Sequence, residues 1–232
     1  MSKVLPFPAM HIPTTRAEAA AGFYSVSEAA RLARVPRQRL YAWQREGIVF
    51  PTVYATDVDD REVGGYTFET LVYLRLLRML RDQEIALSKA VATVQHLRER
   101  FGPPGAGWEL ARILVHGKDV FVDGKDDWEI TVSTRGGQKA ATELFGEEFA
   151  EFRERADALL VPRHFRSAVE IDPRIRSGHP VVRGTTLATE VLSAIRRRGE
   201  SYRAIQAAYP HVTLPQIKRA IAFERFLDAE AT

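Results

Sequence analysis

The chain has 232 residues, of which 45% are hydrophobic and 27% are charged. It can therefore bury one or two ordinary cores, but no apolar run approaches the length that a membrane-spanning helix needs. The absence of cysteine excludes a thiolate metal centre or a thiol redox sensor. The formal charge of +3 is too small to indicate a nucleic-acid partner by itself. We expect a cytoplasmic protein with no membrane partner.

Residues 1–22 contain three prolines and an alanine-rich stretch. They lack the charged start and the continuous apolar segment of an export signal. The sequence therefore predicts an N-terminal arm over 1–22 that is ordered only where it docks.

Two short helices joined by a tight turn follow, with five arginines and one acid across residues 31–46. Ser25 and Glu28 have the spacing of a capping box, in which each side chain satisfies a backbone amide at the helix start. Small apolar residues on the first helix let a second helix approach closely, and Pro36 suits the first turn of that second helix. The pattern predicts a helix-turn-helix that ends at Gly47.

The second helix has one apolar face and one cationic face. A rotation of about 100° per residue places Leu40 and Trp43 together, so the opposite face is polar and cationic. Glutamine and arginine carry the paired hydrogen-bonding groups that match base edges, whereas flanking arginines suit phosphates. The candidate DNA contacts are Arg37, Gln38, Arg39, Tyr41 and Arg45. A basic helix face that is merely solvated is the alternative interpretation.

A strand pair between Val53 and Tyr66 is predicted next, and two amphipathic helices follow it. Thr67 is expected to cap the first of these helices and Ser88 the second. Glycines and prolines at 102–105 end the second helix, which argues against a long dimerisation helix. This is the order of elements in a winged helix.

The segment from Tyr24 to Phe101 resembles the MerR-type winged helix. The motifs that carry the resemblance are Y-S-V-S-E-A-A, L-Y-A-W-Q-R-E-G-I before a proline, G-Y-T-F-E-T-L-V-Y-L and I-A-L-S-K-A-V. The resemblance implies a DNA-binding transcriptional regulator. Two positions that usually hold arginine in that family hold Tyr41 and Gly65 here. The wing also carries acids that repel phosphate, so we interpret its tip as solvated; these acids are Asp57, Asp59, Asp60 and Glu62.

Over residues 104–160 the spacing of apolar residues changes from the helical pattern to an alternating one. Apolar and polar residues alternate around two turn sequences, at 116–119 and 123–124, which is typical of a hairpin, and a helical pattern resumes over 143–160. A short hairpin cannot bury its own apolar face, so it must pack on something else. Structural support is one interpretation of this connector, and a subunit contact through its edge strand and aromatic residues is the other.

Three helices are predicted within 161–232, and they give a compact, homeodomain-like domain. Cap residues predict where the three helices start: Thr186 or Thr189, then Ser201, then Thr213 with Gln216. Gly199 is expected to follow the first helix, and Ile205 and Ala208 to point inward from the second.

Residues 171–185, I-D-P-R-I-R-S-G-H-P-V-V-R-G-T, followed by G-E-S and V-T-L-P-Q-I-K-R-A-I-A-F-E, resemble the DUF433-type domain found in bacterial antitoxins. With the winged helix first and this domain last, the chain resembles VapB-type antitoxins, whose partner is a PIN-domain ribonuclease toxin. The resemblance implies a protein that represses its own operon and silences the toxin by binding it.

A PIN active site gathers carboxylates around a divalent cation, so inserted guanidinium groups can block it. The candidate toxin contacts are Arg174, Arg176, Arg183, Arg196, Arg197 and Arg198. Alternatively, the third helix is a second DNA-binding unit, through Lys218, Arg219 and Arg225.

No catalytic residue, cofactor or metal site is expected, because the six histidines lie far apart and no metalloprotease or phosphate-loop motif is present. The predicted fold is mainly α with a small β component: a MerR-like winged helix-turn-helix at 23–103, a β-hairpin and helix connector at 104–160, and a DUF433-type three-helix domain at 161–232. The functional hypothesis is a homodimeric antitoxin that binds operator DNA and a PIN-domain toxin. The alternative is a stand-alone MerR-like regulator without a toxin partner.

Overall fold

The computed structural model describes residues 22–56, 59–103, 111–116, 118–124, 127–129 and 158–230. Across these ranges the protein is mainly helical, with three small antiparallel sheets, so the predicted fold class is confirmed. The predicted N-terminal arm lies outside the described residues except for its last residue. Among the helices in these ranges, none has the length and apolar character required to cross a membrane.

Helix α1 (Val26–Ala33) begins at the capping box that the sequence predicts. Ser25 Oγ accepts from the backbone N–H of Glu28 at 3.3 Å, and the Glu28 carboxylate accepts from the N–H of Ser25 at 2.8 Å. The helix ends at Arg34, whose left-handed φ of 57° turns the chain. Helix α2 (Arg37–Arg45) follows directly. The predicted helix-turn-helix is therefore confirmed.

The wing is an antiparallel pair of short strands, β1 (Val53–Thr56) and β2 (Glu62–Gly65). The chain leaves the wing at Thr67, which caps helix α3 (Phe68–Asp82) as predicted. Its hydroxyl accepts from the N–H of Thr70 at 3.3 Å. The wing is thus held between two helices that both pack into the core.

Helix α4 (Leu87–Phe101) does not start where the sequence predicts. The N-cap is Ala86, without a side-chain cap, and Ser88 lies inside the helix and is exposed. The prediction that Ser88 caps this helix is wrong, because Leu87 packs against the core and already belongs to the first turn. Gly102, with a φ of 76°, follows the helix end.

The connector forms a three-stranded antiparallel sheet of β3 (Ala111–His116), β4 (Asp119–Gly124) and β5 (Asp127–Glu129). The predicted hairpin is confirmed. The sheet packs on α4 through the buried valines of β4, and Lys89 Nζ lies 2.5 Å from Asp119 Oδ1. These contacts support the structural interpretation of the connector; the subunit-contact interpretation stays a prediction.

The helix predicted over 143–160 lies outside the described residues up to position 157, and residues 158–160 form a turn. Arg166, which is 5% exposed, fixes this turn. Its guanidinium donates to the carbonyl oxygens of Ala158 and, at 2.7 Å, of Val161. These two hydrogen bonds tie the entry of the C-terminal region to its core.

The described part of the C-terminal region holds three α-helices, as predicted, together with two short 3-10 helices and one short strand pair. The helices are α5 (Thr189–Arg197), α6 (Tyr202–Ala208) and α7 (Leu214–Glu230), and the strands are β6 (Val169–Glu170) and β7 (Val181–Val182). The capping box at the start of α7 is confirmed, because Gln216 Oε1 accepts from the Thr213 N–H at 3.0 Å. Ser201 caps α6 by accepting from the N–H of Ala204 at 3.1 Å.

Two predictions in this region are wrong. Neither Thr186 nor Thr189 caps α5, whose N-cap is Ala188. Thr189 is instead a buried residue of the first turn, and its hydroxyl donates to the carboxylate of Glu224. Ala208 is exposed rather than inward, because α6 ends there and the next residue packs against the core in its place.

The apolar residues of the N-terminal and C-terminal regions belong to one continuous cluster. Helix α1 packs against α3 on one side and against α7 on the other. Tyr24, which precedes α1, is fully buried, and Phe223 and Leu227 of α7 are too. The helix-turn-helix is therefore packed directly on the C-terminal domain.

Candidate nucleic-acid interface

The two faces of α2 differ as the sequence predicts. Leu40 is fully buried and Trp43 is 3% exposed, so these side chains hold the helix on the core. All five candidate DNA contacts lie at the surface: Arg37, Gln38, Arg39, Tyr41 (50% exposed) and Arg45. Their contact with DNA stays a prediction, but the face is open to a partner.

A hydrogen bond fixes the rotation of α2 relative to the wing. The amide of Gln44 donates to the hydroxyl of Tyr66, the residue that follows β2. Burial raises the pKa of Tyr66 to about 12, so this phenol stays neutral and keeps its hydrogen-bonding role over the physiological pH range. Such a bond positions the exposed face without using any residue of that face.

A groove of about 610 Å³ runs beside α2. Gln38, Arg39 and Glu46 line the side formed by α2. Arg81, near the end of α3, and Leu87, at the start of α4, line the other side. Arg39 and Arg81 outnumber Glu46 among the lining residues, so the groove carries a net positive charge, which suits a sugar-phosphate strand. Sequence reasoning missed Arg81, because it lies about forty residues along the chain from α2 and reads as an ordinary polar position of an amphipathic helix.

The described residues of the wing tip are exposed and acidic, as expected. Asp59, Asp60 and Glu62 are all exposed, whereas Asp57 lies outside the described residues. At the base of the wing, Gly65 is buried beneath the ring of Phe23. The wing therefore offers no described cation to phosphate apart from Arg61, which lies 3.6 Å from Asp59.

Two of the candidate toxin contacts have partners inside the C-terminal domain. Arg174 forms a two-pronged ion pair with Asp172, with a shortest distance of 2.6 Å, and this hydrogen bonding lowers the pKa of Asp172. Arg183 donates from Nε to the carbonyl of Arg166 at 2.6 Å and lies 3.4 Å from Glu170. The Arg183 guanidinium thus links the end of β7 to β6 and to the residues that precede β6.

Helix α5 carries the next three candidates at its C-terminal end. Arg196 donates to the carbonyl of Glu200 at 3.0 Å, and its guanidinium lies 5.0 Å from the centre of the Tyr202 ring. This arginine therefore links α5 to α6. The other candidates are exposed: Arg176, Arg197 and Arg198.

Polar contacts tie the helix-turn-helix to the C-terminal domain, and sequence reasoning did not find them. Arg31 of α1 donates to Glu224 of α7 at 2.6 Å and to Asp228 at 2.8 Å. Glu224 is only 2% exposed and also accepts from Thr189. Burial alone lowers the pKa of Arg31, but the two carboxylates more than offset this, so the pKa is raised. Arg31 is therefore always charged.

A second link lies at the start of α1. The Tyr24 hydroxyl donates to the carbonyl of Gly178 at 2.8 Å, and His179 Nδ1 lies 3.5 Å from Glu28 Oε1. Burial, together with the nearby Glu28 charge, raises the pKa of Tyr24, so the donor keeps its proton. We call the contacts of Tyr24 with Gly178 and of Arg31 with Glu224 the interdomain joint.

Family models match both ends of the chain. The MerR HTH family regulatory protein model matches residues 24–99, and that for the Protein of unknown function (DUF433) matches residues 169–223. The X-ray crystal structure of Rv2018 from Mycobacterium tuberculosis is similar over 85% of this chain and 96% of that chain, with 18% sequence identity and a TM-score of 0.50; this is a likeness of fold alone. No curated protein matches the sequence. The chain therefore contains a MerR-like helix-turn-helix domain and a DUF433 domain.

Proposed function

We propose that this chain, in which a MerR-like helix-turn-helix domain is packed on a DUF433 domain, is an antitoxin that represses its own operon and neutralises a PIN-domain ribonuclease. The observation that carries the DNA-binding part is the exposed polar and cationic face of α2, opposite the buried Leu40 and Trp43. A helix presented in this way enters the major groove with its exposed side chains toward the base edges.

The residues of this face divide by chemistry. Gln38 and Arg45 carry the paired groups that read adenine and guanine, whereas Arg37 and Arg39 flank them and suit phosphates. Arg81 lines the opposite side of the groove beside α2, where it would contact phosphates of the same DNA strand as Arg39. The wing, with its acidic tip, is directed away from the phosphates in this arrangement.

Binding of the full-length protein to the promoter upstream of its own reading frame tests this assignment. Gln38→Ala and Arg45→Ala are expected to weaken sequence-selective binding by about 1–3 kcal/mol each. Arg37→Ala and Arg39→Ala should weaken binding to all DNA and reduce the salt dependence of log K by about 1. Arg203→Ala, an exposed arginine of α6, is the control. Unchanged affinity in both base-reading variants would remove the assignment.

The antitoxin part is supported by the DUF433 domain and by exposed arginines on it. Arg197 and Arg198 lie at the C-terminal end of α5 and are exposed, whereas Arg174, Arg183 and Arg196 make contacts within their own domain. A carboxylate-rich PIN site attracts such guanidinium groups. We therefore favour Arg197 and Arg198 as the residues that bind in the active site of the toxin.

Coexpression with the product of the neighbouring reading frame tests the antitoxin part. We expect a ribonuclease with a cluster of active-site carboxylates that copurifies with the wild type but is released by Arg197→Glu/Arg198→Glu. A neighbour of another kind, or one that does not copurify, would leave a stand-alone MerR-like regulator. DNA affinity is measured on the same preparations, so the two parts of the proposal can fail separately.

We also propose that the protein binds its operator as a homodimer, because two-fold assemblies read paired half-sites. Footprinting should then show two half-sites about 34–36 Å apart, or a multiple of that spacing. Light scattering of the free protein should give twice the mass of one chain. A monomer mass together with a single half-site would contradict the dimer.

A further inference from the structure

A cleft of about 210 Å³ lies beside the interdomain joint. Its first wall is α1, with Glu28 and Leu32, and its second is the C-terminal domain, with His179 and the first turn of α5. The ion pair between Arg31 and Glu224 also lines it. Both domains therefore contribute walls, and none of the DNA contacts proposed on α2 is among them.

Both positively and negatively charged side chains line the cleft. Arg31 and Glu224 neutralise one another at 2.6 Å, so they leave no net charge for a ligand. The remaining charged side chains are Glu28 and Glu190, which are anionic, and Arg176, which is cationic. The cleft thus offers carboxylates and a guanidinium to one small molecule.

The backbone that carries Arg176 is held in an unusual conformation. Arg176, Ser177 and Gly178 have φ values of 47°, 54° and 85°, so three consecutive residues lie in the left-handed region. For residues other than glycine this conformation costs energy and persists only where the surroundings impose it. The buried Tyr24 hydroxyl donates to the Gly178 carbonyl at the end of this segment. Arg176, at its start, is one of the residues that line the cleft.

We propose that this cleft binds a free amino acid. Its ammonium group would lie against the Glu190 carboxylate, and its carboxylate would accept from the Arg176 guanidinium. The volume of the cleft, about 210 Å³, suits a small ligand. It is smaller than the pockets of about 300–1,000 Å³ that take drug-sized ligands.

Calorimetric titration of the full-length protein with each proteinogenic L-amino acid, in the absence of DNA, tests the proposal. At least one amino acid should bind saturably and raise the melting temperature. Arg176→Ala and Glu190→Gln should each weaken that binding about tenfold or more, since each removes one charge-assisted contact. Arg203→Ala and Glu99→Gln, which change exposed residues outside the cleft, are matched controls and should bind as the wild type does.

Two derivatives of the bound amino acid test the need for both charges. Its N-acetyl form lacks the ammonium group and its decarboxylated amine lacks the carboxylate, so both should bind at least about tenfold more weakly. Saturable binding by no amino acid would overturn the proposal, and so would equal affinity in cleft and control variants. Because DNA is absent from these titrations, the result does not depend on whether the operator assignment is correct.

Discussion

Gly65 accounts for one departure of this chain from the MerR-type pattern. A Cβ at this position would lie 2.4 Å from the Phe23 ring, so the arginine usual in the family does not fit. Gly65→Arg should therefore destabilise the fold by about 1–3 kcal/mol through overpacking. Tyr41→Arg, at the other departing position, is 50% exposed in the wild type and should change stability by less than about 0.5 kcal/mol. Urea unfolding compares the two, and equal midpoints would contradict this account.

A comparison of Gly178 with Gly184 distinguishes the cost of backbone strain from the cost of losing a specific contact. Both have positive φ, 85° and 75°, but a Cβ at Gly184 would meet open space, whereas one at Gly178 would lie 1.8 Å from the Tyr24 hydroxyl oxygen. Tyr24 is fully buried, so it cannot move aside easily. Gly184→Ala should cost about 1 kcal/mol, and Gly178→Ala at least about 1 kcal/mol more, because it also breaks the hydrogen bond to Tyr24. Similar unfolding free energies for the two variants would show that the Tyr24 contact contributes little.

At the level of elements, the contribution of the Ser25 cap of α1 to the unfolding free energy can be measured. Ser25→Ala removes the cap of α1 and should lower the unfolding free energy by about 1 kcal/mol. Ser88→Ala is a matched control, because Ser88 is exposed within the first turn of α4 and does not cap it; its change should stay within about 0.5 kcal/mol. A larger loss for Ser88→Ala than for Ser25→Ala would mean that the caps are assigned to the wrong helices.

The elements that could be predicted from the sequence are those whose signals are local. The capping box of Ser25 and Glu28 joins residues three apart, and the faces of α2 follow from its own periodicity. The predicted starts of α4 and α5 are wrong because distant contacts set the true starts. Leu87 packs into the core at the start of α4, and the hydroxyl of Thr189 bonds to Glu224, 35 residues further on. A polar side chain near a helix start is therefore not a sufficient signal for a cap where distant contacts set the start of the helix.

At the level of the whole molecule, the exposed face of α2 could be predicted from the sequence. The contacts that hold the helix-turn-helix on the C-terminal domain could not. The face depends on residues within one helix, whereas Arg31 and Glu224 are 193 positions apart and Tyr24 and Gly178 are 154 apart. Single positions of this kind look like ordinary surface charges or turn glycines in the sequence. The joint and the cleft beside it exist only where the two domains pack together, so neither has a local signal in the sequence.

A double-mutant cycle on Arg31 and Glu224 tests whether the joint couples the two domains. Glu224 is 2% exposed, so Arg31→Met leaves a buried carboxylate without its cation and should cost about 3 kcal/mol or more. Glu224→Gln should cost less, because Arg31 keeps its bond to the exposed Asp228. The double variant should then be more stable than Arg31→Met alone, because it contains no unpaired buried charge.

The unfolding free energies of the four proteins give the coupling directly. Promoter affinity measured on the same proteins shows whether the joint also holds α2 in its reading position. Simple additivity of the two substitutions would mean that the ion pair contributes no coupling. Since Arg31 lies on the helix that packs against α2, a loss of promoter affinity in Arg31→Met that the double variant restores would show that the DUF433 domain orients the DNA-reading helix.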